Sequence, residues 1–509
     1  MSTATRVIKN SGFLYIKMGI TVFISLYTTR LILASLGESD FGIFNIVGGA
    51  IGMLGFLNST LANATQRFMS YAEGEGELDN KKKIFNVSIV LHLIIALLTA
   101  ILLIGAMFPL FNGILNIDSG RIFSAKIVYI SLVVSTLLTI INVPYDAVMN
   151  AHENMLYYSI VGVFESLLRL VVAFVCVYAT GDKLIVYGIL MACIPLVTLS
   201  IMKVYCHKKY EECSLELRRY WDIGVVKQIA SFSGWNFLTA ISSLFSAQGI
   251  GLVLNHFFGI RLNAAQGVAN QVNGQLSAFS LTMLKALNPV IVKNAGSKDI
   301  EAMNRATIAG CKYSPLIIMF FAIPFIIEMD YILGIWLKVV PEWTSIFCKM
   351  VLIQTIICQM ANPAATAVYG QGDIKWYAIW KSIMNLSPVI LVYVAFKIGG
   401  SPIWLYIPMI VIWAIGGDIV IMFYAARKCQ LDLKSYCKNV VMPIIAIGII
   451  TFAVGIVPSL FIRPCFIRLI ISCIVSSLSI VISTWFLGMD TSEKKLVYTQ
   501  YQKIKNKYL

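Results

Sequence analysis

Runs of apolar residues long enough to cross a bilayer recur from one end of this chain to the other, and that recurrence leaves few folds open. A spanning helix needs about 20 predominantly apolar residues. Such runs stand near 11–36, 41–70, 84–108, 122–147, 156–179, 183–205, 229–255, 262–292, 306–328, 344–369, 376–398, 403–426, 439–462 and 466–489. Lipid offers the backbone no hydrogen-bond partner, so spanning elements are helices or closed barrels. A barrel would show short alternating strands instead. Of 509 residues 58% are hydrophobic and only 13% charged, too little charge to cover a soluble surface of this size. The reading is an all-α polytopic membrane protein with about 14 transmembrane helices.

Charge orients the chain. The formal net charge is +15, and Lys and Arg gather in alternate connections. One set holds Lys81–Lys83, Lys203 to Lys227, Lys293 to Arg305, Arg427 to Lys438, and a tail with Lys494, Lys495, Lys503, Lys505 and Lys507. The other set, Glu38-Ser39-Asp40, Thr180–Lys183 and Gly399–Pro402, is poor in them. Short loops rich in Lys and Arg stay cytoplasmic, so both termini are expected in the cytoplasm. Basic residues used in this way set topology, and no nucleic-acid partner is expected. The N-terminus enters the first span without a small-residue cleavage site, so no cleavable signal peptide is expected. Most of the eleven cysteines lie in or beside apolar spans, where Cys acts as a small hydrophobe. Cys206 and Cys213 fit no standard zinc spacing. No metal site and no cofactor are expected.

The chain repeats itself. Leu31-Ile32-Leu33, Val47 and Ser59 match Leu252-Val253-Leu254, Val268 and Ser280 at an offset of about 221. Pro144–Tyr158 (PYDAVMNAHENMLYY) corresponds to Pro363–Ala378 (PAATAVYGQGDIKWYA) at about 220. Transporters keep such repeats, and one that preserves orientation relates its halves by an axis along the membrane normal. The expected organisation is two six-helix lobes, 1–210 and 229–428, related by pseudo-twofold symmetry. A cytoplasmic linker at 211–228 joins them, two C-terminal helices occupy 439–489, and a cytoplasmic tail covers 490–509.

The stretch from Phe41 to Lys83 is unusual for a lipid-facing helix. Gly42, Gly48, Gly49, Gly52, Gly55 and Ala62 are small enough to let another helix approach closely. Asn58, Ser59, Thr60, Asn63, Thr65 and Gln66 make its second half polar, and Arg67 adds a permanent cation. That combination suggests the wall of a wet cavity. A cation at the bilayer centre costs roughly 2.5–3.5 kcal/mol even on the lenient insertion scale, so intramembrane charges should face water or a partner. The cationic candidates are Lys17, Arg30, Arg67, Arg169, Lys285 and Lys381; the acidic ones are Asp146, Glu165, Glu328 and Asp418. Glu165 and Arg169 are four apart and suited to pair with each other. Lys17 is early enough in its span to snorkel to the interface, and Arg67 and Lys381 near span ends have the same option. Glu328 and Asp330 close a span and are expected at the interface. Lys285 occupies the repeat counterpart of the Arg67 region, which argues for a shared central cavity. The four histidines are scattered, and no Walker loop, HExxH or GxSxG occurs, so ATP-driven pumping and enzymatic chemistry are not expected.

These residues together resemble a known family. Arg6 to Phe68 (RVIKNSGFLYIKMGITVFISLYTTRLILASLGESDFGIFNIVGGAIGMLGFLNSTLANATQRF), with NPAATAVYGQGDIKWY later, is similar to bacterial polysaccharide repeat-unit flippases. These are the O-antigen and capsule translocases of the multidrug/oligosaccharidyl-lipid/polysaccharide (MOP) exporter superfamily. The resemblance implies alternating access that moves an undecaprenyl-diphosphate-linked oligosaccharide from the cytoplasmic to the periplasmic leaflet of the bacterial inner membrane. It implies cavity cations on the first, second and eighth helices, where Arg30, Arg67 and Lys285 fall. Membrane lipids, a coupling cation (H+ or Na+), a polysaccharide polymerase and assembly proteins are the implied partners. A lipid diphosphate is anionic, and guanidinium grips phosphate oxygens bidentately. Asn63, Gln66, Asn270 and Gln271 are candidates to hydrogen-bond sugar hydroxyls or to join helices. Arg169, Lys381, Glu165 and Asp146 complete the secondary candidates. Two other functions compete. A multidrug extrusion antiporter of the same superfamily would want a carboxylate in an otherwise neutral cavity. A membrane glycan polymerase would want a sizeable periplasmic loop, which is missing.

Overall fold

A computed structural model describes residues 3–52, 54–115, 117–337 and 339–508. Side chains beyond Gln502, including the tail lysines 503, 505 and 507, lie outside the description. Among the described residues the protein is all-helical, with thirteen helices long and apolar enough to cross a membrane. The first, α1 (Thr3–Gly52), would be about 75 Å long at 1.5 Å per residue, more than twice the bilayer core. Gly37 interrupts it, with φ 78° and ψ 170°, a region essentially reserved for glycine. The segment after Gly37 runs toward α2 (Gly55–Glu75), which is too polar to count among the thirteen. Dividing α1 at Gly37 and counting its second half with α2 as one crossing raises thirteen to fourteen.

The remaining elements are α3 (Leu78–Pro109), α4 (Ile122–Ala151), α5 (Met155–Tyr178), α6 (Lys183–Lys209), α7 (Ile223–Phe258), α8 (Ile260–Gly296), α9 (Ile300–Trp336), α10 (Thr344–Gly370) and α11 (Lys375–Lys397). They end with α12 (Pro402–Cys429), α13 (Leu433–Phe461), α14 (Phe466–Gly488) and α15 (Thr491–Tyr508). Hydroxyls on these helices bond back to the carbonyl one turn earlier, as Thr136 does to Leu132 and Thr307 to Met303. That satisfies them where lipid cannot.

The chain forms two compact units. The first is Met1–Ala240 with Lys285–Asp299; the second is Ile241–Leu284 with Ile300–Leu509. Helices α7 and α8 therefore contribute to both.

In the first unit, Ile43, Val47 and Ile51 of α1 pack with Leu103, Val128 and Tyr129. At one end three connections meet. Arg121 bonds both Asp40 and Asp182, and Asp182 also caps α6 through the N–H groups of Leu184 and Ile185. Burial alone would raise the Asp182 carboxyl. The Ser124 hydroxyl, the capping N–H groups and Arg121 bring it below its ordinary value. All three connections lie between spans on the side poor in Lys and Arg.

In the second unit, Leu254, Ala265, Phe347, Leu352, Val392 and Phe396 form the main core. The helix pair α13–α14 is fastened to α9 by charge. Glu328 is buried and accepts from Arg468 at 2.6 Å and from Ser472 at 2.8 Å, so it is held by protein partners rather than exposed. Asp330, two residues on, is exposed and pairs with Lys349. Lys312 of α9, also buried, pairs with Glu493 at the start of α15 at 2.5 Å.

The repeat is written in the backbone. Positive φ occurs at Gly37 and Gly259, at Gly76 and Lys298, and at Glu153 and Gly372, pairs separated by 222, 222 and 219 residues. Positive φ thus recurs at a spacing close to the repeat offset. Helix approach falls elsewhere than expected. A Cβ on Gly42, Gly49, Gly52 or Gly55 would meet nothing within 4 Å, and on Gly48 only Leu132 at 3.8 Å. Close contact falls instead at glycines such as Gly74, Gly162, Gly188, Gly296, Gly417 and Gly455.

Candidate functional site

The first unit places two lysines on one tyrosine ring. Leu14 of α1, Met155 of α5 and Ala286 of α8 form a small buried core packed against Tyr158. Lys17 lies one turn beyond Leu14, Tyr158 one turn beyond Met155, and Lys285 beside Ala286. This apolar contact therefore fixes three polar side chains at one level. The Lys17 ammonium stands 4.2 Å from the Tyr158 ring centroid and the Lys285 ammonium 3.9 Å. Lys285 also donates to the Tyr158 hydroxyl. Cation–π contact is worth about 2 kcal/mol when desolvated, which offsets much of the cost of a lysine at membrane depth.

Glycine makes the room for Lys17. A Cβ at Gly162 would lie 2.5 Å from the Lys17 ammonium and closer still to its chain. Lys17 thus points into the unit rather than snorkelling. Asp146 of α4 is the carboxylate within electrostatic reach of both ammoniums, and Asn142 donates to it at 3.3 Å. Glu165 is 2.6 Å from Arg169, so that pair neutralises itself on the exposed face of α5. Two ammoniums against one unmatched carboxylate leave the cluster one positive charge in excess.

The other candidate cations stand apart from this group. The Arg67 guanidinium is buried against three rings, 4.5 Å from Phe68, 4.7 Å from Tyr71 and 5.6 Å from Phe232. Arg30 is exposed on α1. In the second unit Lys381 lies over Gly417, its ammonium 2.5 Å from where a Cβ would stand, and 5.7 Å from the Trp413 ring. Asp418 is within electrostatic reach. Asn63, Asn270 and Gln271 are exposed and Gln66 half-buried. Sequence reasoning missed Tyr158 and gave Lys17 to the interface. The one signal that could have found them is Gly162, a gap one turn from Tyr158 on an otherwise bulky helix.

No family model matches the chain, and no curated protein does. Solved structures do. A MATE structure in the bent conformation is similar with a TM-score of 0.71 at 15% identity, over 85% of this chain and 96% of that one. A multidrug-resistance MATE transporter of the MOP superfamily, in an outward-facing conformation, matches at TM-score 0.64 and 14% identity, over 84% and 94%. A MOP superfamily transporter from Pyrococcus furiosus, described as having a binding pocket of reverse polarity that suggests a different function, matches at TM-score 0.65 and 16% identity, over 85% and 96%. At these identities the likeness establishes the fold, a MATE-like arrangement of membrane helices over most of the chain.

Proposed function

We propose that this protein is a transporter that flips a lipid-linked oligosaccharide, carried on undecaprenyl diphosphate, between the leaflets of the bacterial inner membrane by alternating access. The observation that carries the reading is the pair of ammoniums, Lys17 and Lys285, held on Tyr158 with one positive charge unmatched. A diphosphate brings two adjacent anionic groups to two adjacent cations. Each contact at about 4 Å gains on the order of 4 kcal/mol at an effective dielectric of 20. The cargo moves from the cytoplasmic to the periplasmic side, with a cation gradient as the energy source. The fold is shared with MATE transporters, and the Pyrococcus furiosus relative is a precedent for a pocket of changed polarity on this fold.

A second reading, multidrug extrusion, is favoured by Asp146, a carboxylate in the same cluster that would bind a cationic drug once freed from the lysines. Reconstituted vesicles separate the two. Flipping of undecaprenyl-diphosphate oligosaccharide that is lost in Lys17→Ala and Lys285→Ala supports the first. Dye transport that survives those changes but fails in Asp146→Asn, with no lipid flipping, supports the second.

A further inference from the structure

Helices α1 and α5 lie side by side in one register. Leu14 and Met155 share a core, Lys17 stands on Tyr158, and the Ser35 hydroxyl donates to the Cys176 carbonyl at 2.8 Å. Each pair is 141 residues apart, so Thr28 lies opposite Arg169. On α5, Tyr158, Gly162, Glu165 and Arg169 fall within about 60° of one another at about 100° per residue. They make a polar stripe that starts at the paired lysines. The opposite face carries Ile160, Phe164, Leu167 and Val171, all apolar and exposed; that is the face suited to lipid. The flanks of the stripe are closed. Val161 and Val172 on one side are buried, and so are Met155, Ser159 and Ala173 on the other.

Between these closed flanks two charged side chains stay open, Arg169 at 46% exposure and Glu165 at 36%. Both lie well inside a span. Charges at membrane depth face a bundle interior or a water-filled cavity, so the opening is wet. A guanidinium carries several N–H donors and a carboxylate several acceptor sites. Among the described residues their mutual bond at 2.6 Å uses only one of each. The Thr28 hydroxyl is buried with no hydrogen-bond partner among the described residues, a polar group that the two helices do not satisfy. The stripe therefore offers a fork of donors beside a fork of acceptors. An anion would use the first and be repelled by the second, and a cation the reverse. Neighbouring sugar hydroxyls, which both donate and accept, use the two together.

We infer that Glu165 and Arg169 form a sugar subsite that selects the glycan rather than its lipid carrier. The inference rests on the proposed diphosphate contact at Lys17 and Lys285. Along α5, Glu165 stands about 10 Å and Arg169 about 16 Å beyond Tyr158, at 1.5 Å per residue. Toward the start of α5 the stripe ends on Leu14, Met155 and Ala286, an apolar core. A glycan leaving the diphosphate thus finds polar surface in one direction only. Its first sugar lies by Tyr158, and the sugars beyond it meet the Glu165–Arg169 pair.

The test uses the full chain in reconstituted vesicles with two probes. One is undecaprenyl diphosphate bearing a single N-acetylhexosamine; the other is the same lipid extended by neutral hexoses. The quantity read is the flipping rate of the extended lipid divided by that of the short one. Glu165→Gln with Arg169→Gln removes both charges together and should lower this ratio at least about tenfold, the loss of one charge-assisted hydrogen bond. Glu165→Asp with Arg169→Lys keeps an ion pair without the planar fork and should lower it as well, which covers the case where the first variant misfolds. Lys17→Ala and Lys285→Ala should slow both probes and leave the ratio near that of the wild type. A pair that only neutralises itself predicts a wild-type ratio in every variant, and that result overturns the subsite. If the wild type flips neither probe, the diphosphate reading fails, and the subsite is judged by saturation-transfer NMR with the free neutral oligosaccharide. A signal lost in the Gln variant supports it; an equal or absent signal in the wild type overturns it.

Discussion

The Lys17 ammonium lies where a side chain on Gly162 would begin, 2.5 Å from the position of its Cβ. The missing side chain on Gly162 leaves the space that the end of Lys17 fills. Gly162→Ala should evict Lys17 from Tyr158 without touching any charge. The expected phenotype equals that of Lys17→Ala, and the double variant should be no worse than either, since both remove the same contact. Transport in reconstituted vesicles and melting temperature are measured together. Gly162→Ala that transports normally, beside Lys17→Ala that does not, would show that the lysine keeps its contacts by a small shift.

The Glu328–Arg468–Ser472 group makes a different demand. Removing one partner of a buried ion pair leaves an uncompensated charge and costs about 3–5 kcal/mol, whereas replacing both by apolar residues is often neutral. Arg468→Met should lower the yield of folded protein sharply, and Glu328→Leu with Arg468→Met should restore much of it. Thermal unfolding in detergent reads the difference. A double variant as unstable as the single would mean that Ser472 and Ile462, which also contact this pair, depend on the charges.

What the sequence made legible follows from the kind of force involved. Spanning length and apolarity are local, so the helices and their number could be read directly; even the junction before Phe41 falls at Gly37. The repeat was visible because matching residues, from Leu31–Leu33 to Tyr157, recur at one offset. Packing partners are not. Gly42, Gly49, Gly52 and Gly55 look like helix-contact residues and face open space, while Gly162 and Gly296 are points of approach. Lys17 and Glu328 were assigned to interfaces from their distance along a span. What actually holds them is a gap on α5 and an arginine 140 residues later. Arg67 and Lys285 meet different surroundings, three rings for one and a shared tyrosine for the other.

Acid should loosen the end of the first unit at Arg121. Asp182 has a carboxyl held below its ordinary value, so its contribution is full above the ordinary carboxylate range, about 3.9. It disappears as pH falls through the lowered folded value. The network is partly exposed, and its worth is at most about 1 kcal/mol. Arg121→Gln should lower the melting temperature by at most about 1 °C near neutral pH, and high salt should shrink that gap. An unchanged melting temperature at low salt would show that the three connections are held by packing alone.

Charge order at the cationic positions is the last prediction, and it discriminates between binding and snorkelling. If Lys285 meets an anionic diphosphate, Lys285→Ala should abolish or strongly reduce export of surface glycan in a flippase-deficient strain. Lys285→Arg should retain part of it, because the charge stays while the fit to Tyr158 changes. Lys285→Glu should be worse than Ala, since attraction becomes repulsion of similar size. At Arg67 the three rings add a condition. Arg67→Lys keeps the charge but loses planar stacking, so it should cost stability and activity together, whereas Lys285→Arg costs activity alone. Arg30 is exposed on α1, so Arg30→Ala should leave folding intact and any loss of export should come without a loss of membrane protein level. Snorkelling predicts another order: the basic swaps nearly normal, Ala mild, and no added penalty for Glu. Surface glycan and membrane protein level are measured for every variant. Well-expressed Ala and Glu variants at all three positions that export normally would remove the case for an anionic cargo, and transport of cationic dyes would be the measurement to make next.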